Sequence, residues 1–302
     1  MTYVLFNLLG YFLYLSRQLL RLLRFRTLKP SRYRYLFKYQ IYKWCIKRIF
    51  EPNSEFKSRF DVMFAVVSLN APDFLFLSLF SIRRLYPDVE IVVLDNGSHL
   101  KFLHTITNLA SKFKCTLLYN KCVFKDHVLA IQYLIHLAFT KNVKFLVVLD
   151  NDAVLVTRLD YILKEMLDKG AILAGPRDSL RNCPLCVHPS LMIINPLEVI
   201  KLGGKYVAFN YISSKFNWYP EPFYSLSYVS LSRILYMDMS VVEKFKPLTL
   251  YSFNGCKIAY HAWYGSRVRT TKDVIINGLS TKEINLRHKL IKSFLVNEIL
   301  ST

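Results

Sequence analysis

Three short apolar runs, each stopped by a small polar or acidic cluster, constrain this chain more than any other feature. Val62 to Leu69 ends in Asn70-Ala71-Pro72, Glu90 to Leu94 ends in Asp95-Asn96-Gly97-Ser98, and Phe145 to Leu149 ends in Asp150-Asn151-Asp152. Runs of this length, rich in β-branched residues and closed by turn formers, are the pattern of buried strands. Between them lie segments with helical spacing. Leu75, Leu79, Ile82 and Leu85 mark one face of a helix from Asp73 to Leu85, and further helices are expected near Leu100 to Phe113 and His127 to Phe139. A fourth strand is expected around Cys115 to Leu118. Strands alternating with helices predict an α/β fold: a Rossmann-type, mostly parallel sheet flanked by helices. Ligands of such sheets bind beyond the carboxyl ends of the strands. Asn70, Asp95 and Asp150 to Asp152 are all placed there.

No glycine-rich G-x-G-x-x-G or G-x-x-x-x-G-K-[ST] loop accompanies the strands. A nucleotide diphosphate would therefore need another source of positive charge. A divalent cation, Mn2+ or Mg2+, held by Asp150 and Asp152 would supply it. Strand alternation sets the two residues on one side of an extended segment, about 7 Å apart at the backbone, so both carboxylates can address one ion. The competing reading is a helix N-cap at Asp152 beside an exposed Asp150.

Charge is distributed unevenly. The net charge is +20, and Arg17 to Arg59 contributes thirteen Lys or Arg against only Glu51 and Glu55, more than half of the total. The apolar run Tyr3 to Leu15 is too short to span a bilayer, which takes about 20 residues. Arg17, Arg21 and Arg24 recur at helical spacing among leucines, and Tyr33, Tyr35, Phe37, Tyr39, Tyr42 and Trp44 follow. Residues 1–58 are accordingly expected to form a basic, aromatic-rich, amphipathic and hydrophobic N-terminal helical extension lying on an anionic membrane surface. A single tilted N-terminal span and packing on the protein's own core are the alternatives. The expected location is cytoplasmic, peripheral at the inner face of the cell membrane. Six cysteines in 302 residues do not make a disulfide scaffold, and Cys183-Pro184-Leu185-Cys186 lacks the second pair that a structural zinc normally uses.

The runs VVSLNAP, SIRRLYPDVEIVVLDNGS and FLVVLDNDAVL, with HPSLMIIN, YMDMS and YHAWYGSR downstream, resemble segments of family 2 glycosyltransferases with the GT-A fold. The resemblance covers about Asp61 to Arg269. It implies a sugar-nucleotide-dependent, hexosyltransferase-type enzyme acting on a glycan, lipid-linked or protein acceptor, with inversion. It also implies a catalytic domain over 59–302, with a nucleotide-binding half at 59–158 and an acceptor-binding half at 159–302. By resemblance, Asp95 contacts the base or ribose and Asn70 belongs to the loop against which the base packs. Asp150 and Asp152 form the metal pair, His261 completes metal or diphosphate binding, and Arg267 neutralises the departing diphosphate. Two departures accompany the likeness: His127-Val128 stands where related sequences often carry His-Gly, and the usual acidic pair for the catalytic base is missing.

An inverting transfer needs a carboxylate to accept the acceptor hydroxyl's proton. Asp238, read as following an aromatic stretch and opening a helix over Ser240 to Phe245, is the first candidate; its alternative role is that helix's N-cap. Glu221 is the second and Asp178 the third. Aromatic residues from Phe216 to Tyr228 suit either an acceptor site or packing, and His188 reads as a loop or core histidine. Other classes remain open at this point: a nucleotidyltransferase on a similar fold, although Leu69-Asn70-Ala71-Pro72 is not its usual phosphate loop, or a non-catalytic basic protein binding membrane or nucleic acid. The body carries no recognition motif for a specific nucleic acid.

Overall fold

β1 (Val62–Ser68) lies between β2 (Glu90–Asp95) and β4 (Phe145–Asp150), parallel to both, and β3 (Thr116–Tyr119) extends β2 in the same sense. The computed structural model describes residues 61–120, 127–177, 187–201, 233–263, 275–276 and 279–301. The N-terminal extension 1–58, the Cys183–Cys186 pair, Asp178, Glu221, Arg267 and the aromatic stretch 216–228 lie outside the described residues.

β1, β2 and β3 are each followed by the helix the sequence predicts. Pro72 opens α1 (Pro72–Leu85), where its missing N–H costs nothing. Asp73 in the first turn and Arg83 and Arg84 in the last suit the helix dipole. α2 (Leu100–Lys112) is capped by the side chain of His99, which accepts from the Lys101 N–H, and α3 (His127–Thr140) precedes β4. β1 and β4 are buried along almost their whole length, because helices cover both faces of the sheet.

Beyond β4 the sheet becomes mixed. β5 (Ala153–Leu155) leaves β4 after only two residues, and α4 (Asp160–Asp168), β6 (Leu173–Pro176), β7 (Leu191–Ile194) and α5 (Pro196–Lys201) follow. Then come β8 (Ile234–Val241), β9 (Thr249–Phe253), β10 (Cys256–His261), a small ribbon of β11 (Ile275–Ile276) and β12 (Leu279–Ser280), and the C-terminal α6 (Thr281–Ser301). The strand order is β3-β2-β1-β4-β7-β6-β8-β9-β10-β5. β7 runs antiparallel to β4 and β6, β6 and β8 are parallel, and β8, β9, β10 and β5 are antiparallel neighbours. The α/β sheet flanked by helices thus matches expectation, and its parallel character belongs to the β1–β4 group. The second half differs because close strand connections reverse direction. Asn254 and Gly255 both take positive φ (50° and 79°) between β9 and β10, the tight hairpin conformation that Asn-Gly favours.

One expectation is corrected here. Ser240 does not begin a helix: β8 runs through to Val241, and only a single 3-10 turn, Glu243–Phe245, follows. Asp238 therefore caps no helix. It sits in mid-strand opposite Ser252, where the cross-strand ladder overrides the local cap signal.

Two apolar clusters hold the sheet. One packs β1, β2, β4, β6–β10, α1, α2 and α4 through residues such as Phe64, Leu79, Ile82, Leu149 and Tyr251. The other seats Ile291, Leu295 and Ile299 of α6 against Phe74 of α1, Val154 of β5 and Tyr260 of β10. Spacing of four places those α6 side chains in one row, and Lys292 adds a 2.6 Å ion pair to Asp73.

Gly175 in β6 is required by close packing. A methyl group on it would stand 2.5 Å from Val187 Cγ1 and 2.6 Å from the Leu191 carbonyl oxygen. Gly175→Ala is expected to cost about 1–3 kcal/mol, read as a lower urea midpoint at unchanged m-value. Burial raises the Tyr86 and Tyr133 hydroxyls from 10.0 to about 12. Between those values the unfolded chain releases protons that the folded chain keeps, so stability is intact below pH 10 and declines as pH rises toward 12. The melting temperature should fall across that window, and less steeply in a Tyr86→Phe, Tyr133→Phe double variant.

Candidate metal centre

The carboxyl ends of β1, β2 and β4 are joined by polar side chains that fold back onto backbone. Asn70, at φ 55°, donates its N–H to Ser98 Oγ (2.8 Å) and accepts from the His99 N–H through Oδ1 (2.7 Å). Asp95 is buried, and its carboxylate accepts from the N–H groups of Gly97 (3.2 Å) and Ser98 (3.0 Å) and from the Ser98 hydroxyl. Asn70 and Asp95 are thus brought together through Ser98. Asn151, between the two metal-pair aspartates, points the other way: its N–H reaches the Val67 carbonyl (3.2 Å) and its side chain the Leu69 carbonyl (3.4 Å). The turn at Asn151-Asp152 leaves the Asp150 and Asp152 carboxylates facing together.

Asp152 leads into β5, not into a helix, which removes the N-cap alternative. β5 pairs with β10 so that Ala153 lies opposite His261, and Ala262 donates its N–H to the Asp152 carbonyl (2.9 Å). That register carries His261 across 108 residues of sequence to the aspartates. One ligand atom from each of Asp150, Asp152 and His261 lies within 4.8 Å of the others, and His261 Nε2 is 3.2 Å from Asp152 Oδ1. The His261 and Asp152 side chains are 5% and 8% exposed and Asp150 is 22% exposed, so the cluster is closed on one side and open on another.

The donor set fits a divalent cation. Two carboxylates and one imidazole suit Mn2+, and Mg2+ through water. Ligand atoms about 2.1 Å from an octahedral ion stand about 3.0 Å apart in cis, near the observed 3.2 Å contact. Two carboxylates in a largely buried cluster also require positive charge close by.

Sequence reasoning missed several neighbours. His127, the first residue of α3, places Nε2 2.7 Å from Asp150 Oδ1; in the sequence it stands out only as a departure from a His-Gly pair. Tyr251 Oη lies 2.9 Å from His261 Nδ1 and 2.6 Å from Ser190 Oγ, which is 2.8 Å from His188 Nδ1. Burial pushes the Tyr251 phenol well above its usual range despite the hydroxyls of Ser190 and Thr249, so it stays protonated. Trp263, at φ 52°, donates Nε1–H to Thr249 Oγ1 (3.0 Å), with its ring centroid 4.8 Å from His261 and 4.9 Å from His188. The segments HPSLMIIN and YHAWYGSR contain His188, Ser190, His261 and Trp263, but no spacing rule links them to each other or to Tyr251.

Asp238 does not join this cluster. It is exposed, and pairing with Ser252 puts it on the opposite face of the β8–β9–β10 ladder from Tyr251 and His261.

No protein-family model matches the sequence, and no curated protein does either. Solved structures overlap it in part. Mouse xyloside xylosyltransferase 1 superposes at TM-score 0.41 and 13% identity, over 59% of this chain and 85% of that one. A Pyrobaculum calidifontis mannosyltransferase solved with GDP-Man and Mn2+ gives 0.44 and 14%, over 67% and 63%. A Bacillus anthracis protein described as a glucose-1-phosphate thymidylyltransferase gives 0.40 and 7%, over 59% and 87%. Overlaps of this size leave function to be argued from the site.

Proposed function

We propose that the chain is a metal-dependent glycosyltransferase of the GT-A type that moves a sugar from a nucleotide-sugar donor to a glycan, lipid-linked or protein acceptor, with inversion. The carrying observation is the convergence of Asp150, Asp152 and His261 at the carboxyl end of β4, between the Asn70–Asp95 loops and the β5–β10 pair.

Each residue then has a task. Asp150, Asp152 and His261 hold Mn2+ or Mg2+. When bound, the ion supplies positive charge to the donor diphosphate and to the charge that develops as it leaves. Asp95, whose carboxylate is tied to the Gly97 and Ser98 N–H groups, presents a rigid loop to the base or ribose, with Asn70 forming its other wall. His127 steadies Asp150 from the start of α3. Arg267 neutralises the departing diphosphate. Of the three candidate bases, Asp238 lies on the face away from His261, so Glu221 becomes the first choice and Asp178 the second for taking the acceptor's proton. A nucleotidyltransferase is the weaker reading because the loop after β1, Leu69-Asn70-Ala71-Pro72, is not its usual phosphate loop and turns the Asn70 N–H to Ser98.

The proposed location is the cytoplasmic face of a membrane, reached through the basic N-terminal extension. It rests on the charge and aromatic pattern of residues 1–58. Among the described residues no helix is long and apolar enough to cross a membrane.

The test is hydrolysis of UDP-, GDP- and dTDP-sugars by the full chain with Mn2+. At least one donor should be hydrolysed, chelation should abolish the reaction, and added Mn2+ should restore it. Asp152→Asn should lower the rate by about 100-fold or more, since losing a ligand costs more than the 10–100-fold typical of losing an outer partner. Equal rates in wild type and Asp152→Asn would remove the mechanism. Asp238→Asn and Glu221→Gln separate the base candidates: the rate of transfer to an acceptor should fall in Glu221→Gln and hold in Asp238→Asn.

A further inference from the structure

The polarity of the hydrogen-bond chain behind His261 follows from one backbone contact. The Ser190 N–H donates to His188 Nδ1 (3.3 Å), so that nitrogen carries a lone pair and no proton. Ser190 Oγ, 2.8 Å from the same nitrogen, must therefore donate its only hydrogen there. Its oxygen then accepts from the Tyr251 hydroxyl at 2.6 Å. Tyr251 has spent its own hydrogen, so it accepts at 2.9 Å from His261 Nδ1–H. All four residues are buried: Ser190 and Tyr251 are 0% exposed, His188 2% and His261 4%. No water is needed to complete the sequence of donors.

We infer that Tyr251, Ser190 and His188 form a buried positioning relay that selects the Nδ1–H tautomer of His261 and so turns the Nε2 lone pair toward Asp150 and Asp152, presetting the site for a divalent cation. The inference rests on the metal reading proposed above and adds the residues that set its affinity. Nε2 and Asp152 Oδ1 then oppose one another as two acceptors 3.2 Å apart. A cation between them removes that conflict and serves Asp150 as well. Without the relay, His261 gains by moving its proton to Nε2 and donating to Asp152, which occupies the lone pair the ion requires. A histidine ligand whose other nitrogen is held by a fixed partner is a general device of metal sites; here the partner is a tyrosine whose direction is set from a backbone N–H three hydrogen bonds away.

The test measures Mn2+ alone, by calorimetry and by loss of free-ion EPR signal, on the full chain without donor. Wild type should bind, and Asp152→Asn should bind far more weakly. Tyr251→Phe, which keeps the ring and removes the hydroxyl, should bind roughly 10–100-fold more weakly than wild type. His188→Leu should fall by a similar factor. His188→Asn has the same shape as Leu but retains an acceptor near the Nδ1 position, so it should recover affinity to within about threefold of wild type. In the metal-free protein at pH 8, 15N shifts should assign the proton of His261 to Nδ1 in wild type and to Nε2 in Tyr251→Phe. Thermal unfolding checks that each variant is folded; if Tyr251→Phe is not, the His188 pair decides. Wild-type affinity in both Tyr251→Phe and His188→Leu, or equal loss in His188→Asn and His188→Leu, would overturn the relay while leaving the metal site standing. No Mn2+ binding by wild type, or unchanged binding in Asp152→Asn, would instead remove the metal reading beneath it.

Discussion

The pairing of β5 with β10 is the constraint from which the site is built. β5 is only three residues long, yet its ladder decides where His261 stands, because Ala153 lies opposite it and the Asp152 carbonyl accepts from Ala262. The short turn at Asn151-Asp152 makes this possible: it lets the chain leave β4 and enter a distant sheet position without a helix between. Side chains of α6 and α1 seal the outer side of β5 through Val154 and Val156, so the pairing is buttressed by apolar burial as well as by backbone hydrogen bonds. Placement of the Asp152–His261 pair and stability of the C-terminal half are therefore coupled through the same three-residue strand.

Electrostatics explains why the cluster is layered. Two carboxylates drawn out of water repel one another and lose hydration. The fold answers with one imidazole on each: His127 beside Asp150 at the open edge, His261 beside Asp152 in the interior. The two differ in support. His127 is a third exposed at the start of α3, whereas His261 is buried, backed by Tyr251 and flanked by the Trp263 ring. A buried polar chain of this kind is costly unless every member is satisfied, and the order of donors from His261 to His188 satisfies each hydroxyl in turn. The Asp95 loop follows the same logic on the neighbouring strand, where a buried carboxylate is matched by N–H groups of its own turn.

Fold and site were legible to different depths. Strands β1, β2 and β4 and helices α1, α2 and α3 were readable because each signal is local: a β-branched run with a turn at its end, or apolar residues at helical spacing. Asp150 and Asp152 were readable as a pair because alternation alone puts residues two apart on one side. Asp238 illustrates the opposite case. An acidic residue two positions before a serine looks like a helix start, but the ladder to β9 holds it in a strand, on the face away from His261. The hairpin at Asn254-Gly255 carried a clear local signal, yet its consequence, an antiparallel second half, depends on which strands it joins.

What the chain alone determined is the part governed by neighbours in sequence: alternating elements in the first half, acidic loops at strand ends, a carboxylate pair suited to a cation, and a strongly basic N-terminal segment. Only tertiary structure decided which histidine meets which aspartate, that His188, Ser190 and Tyr251 stand in line behind His261, and that Asp238 stands apart. Such contacts join residues 10 to 109 positions apart across strands. Their geometry is set by ladder register and by the packing of two apolar clusters, and no periodicity along the chain encodes either.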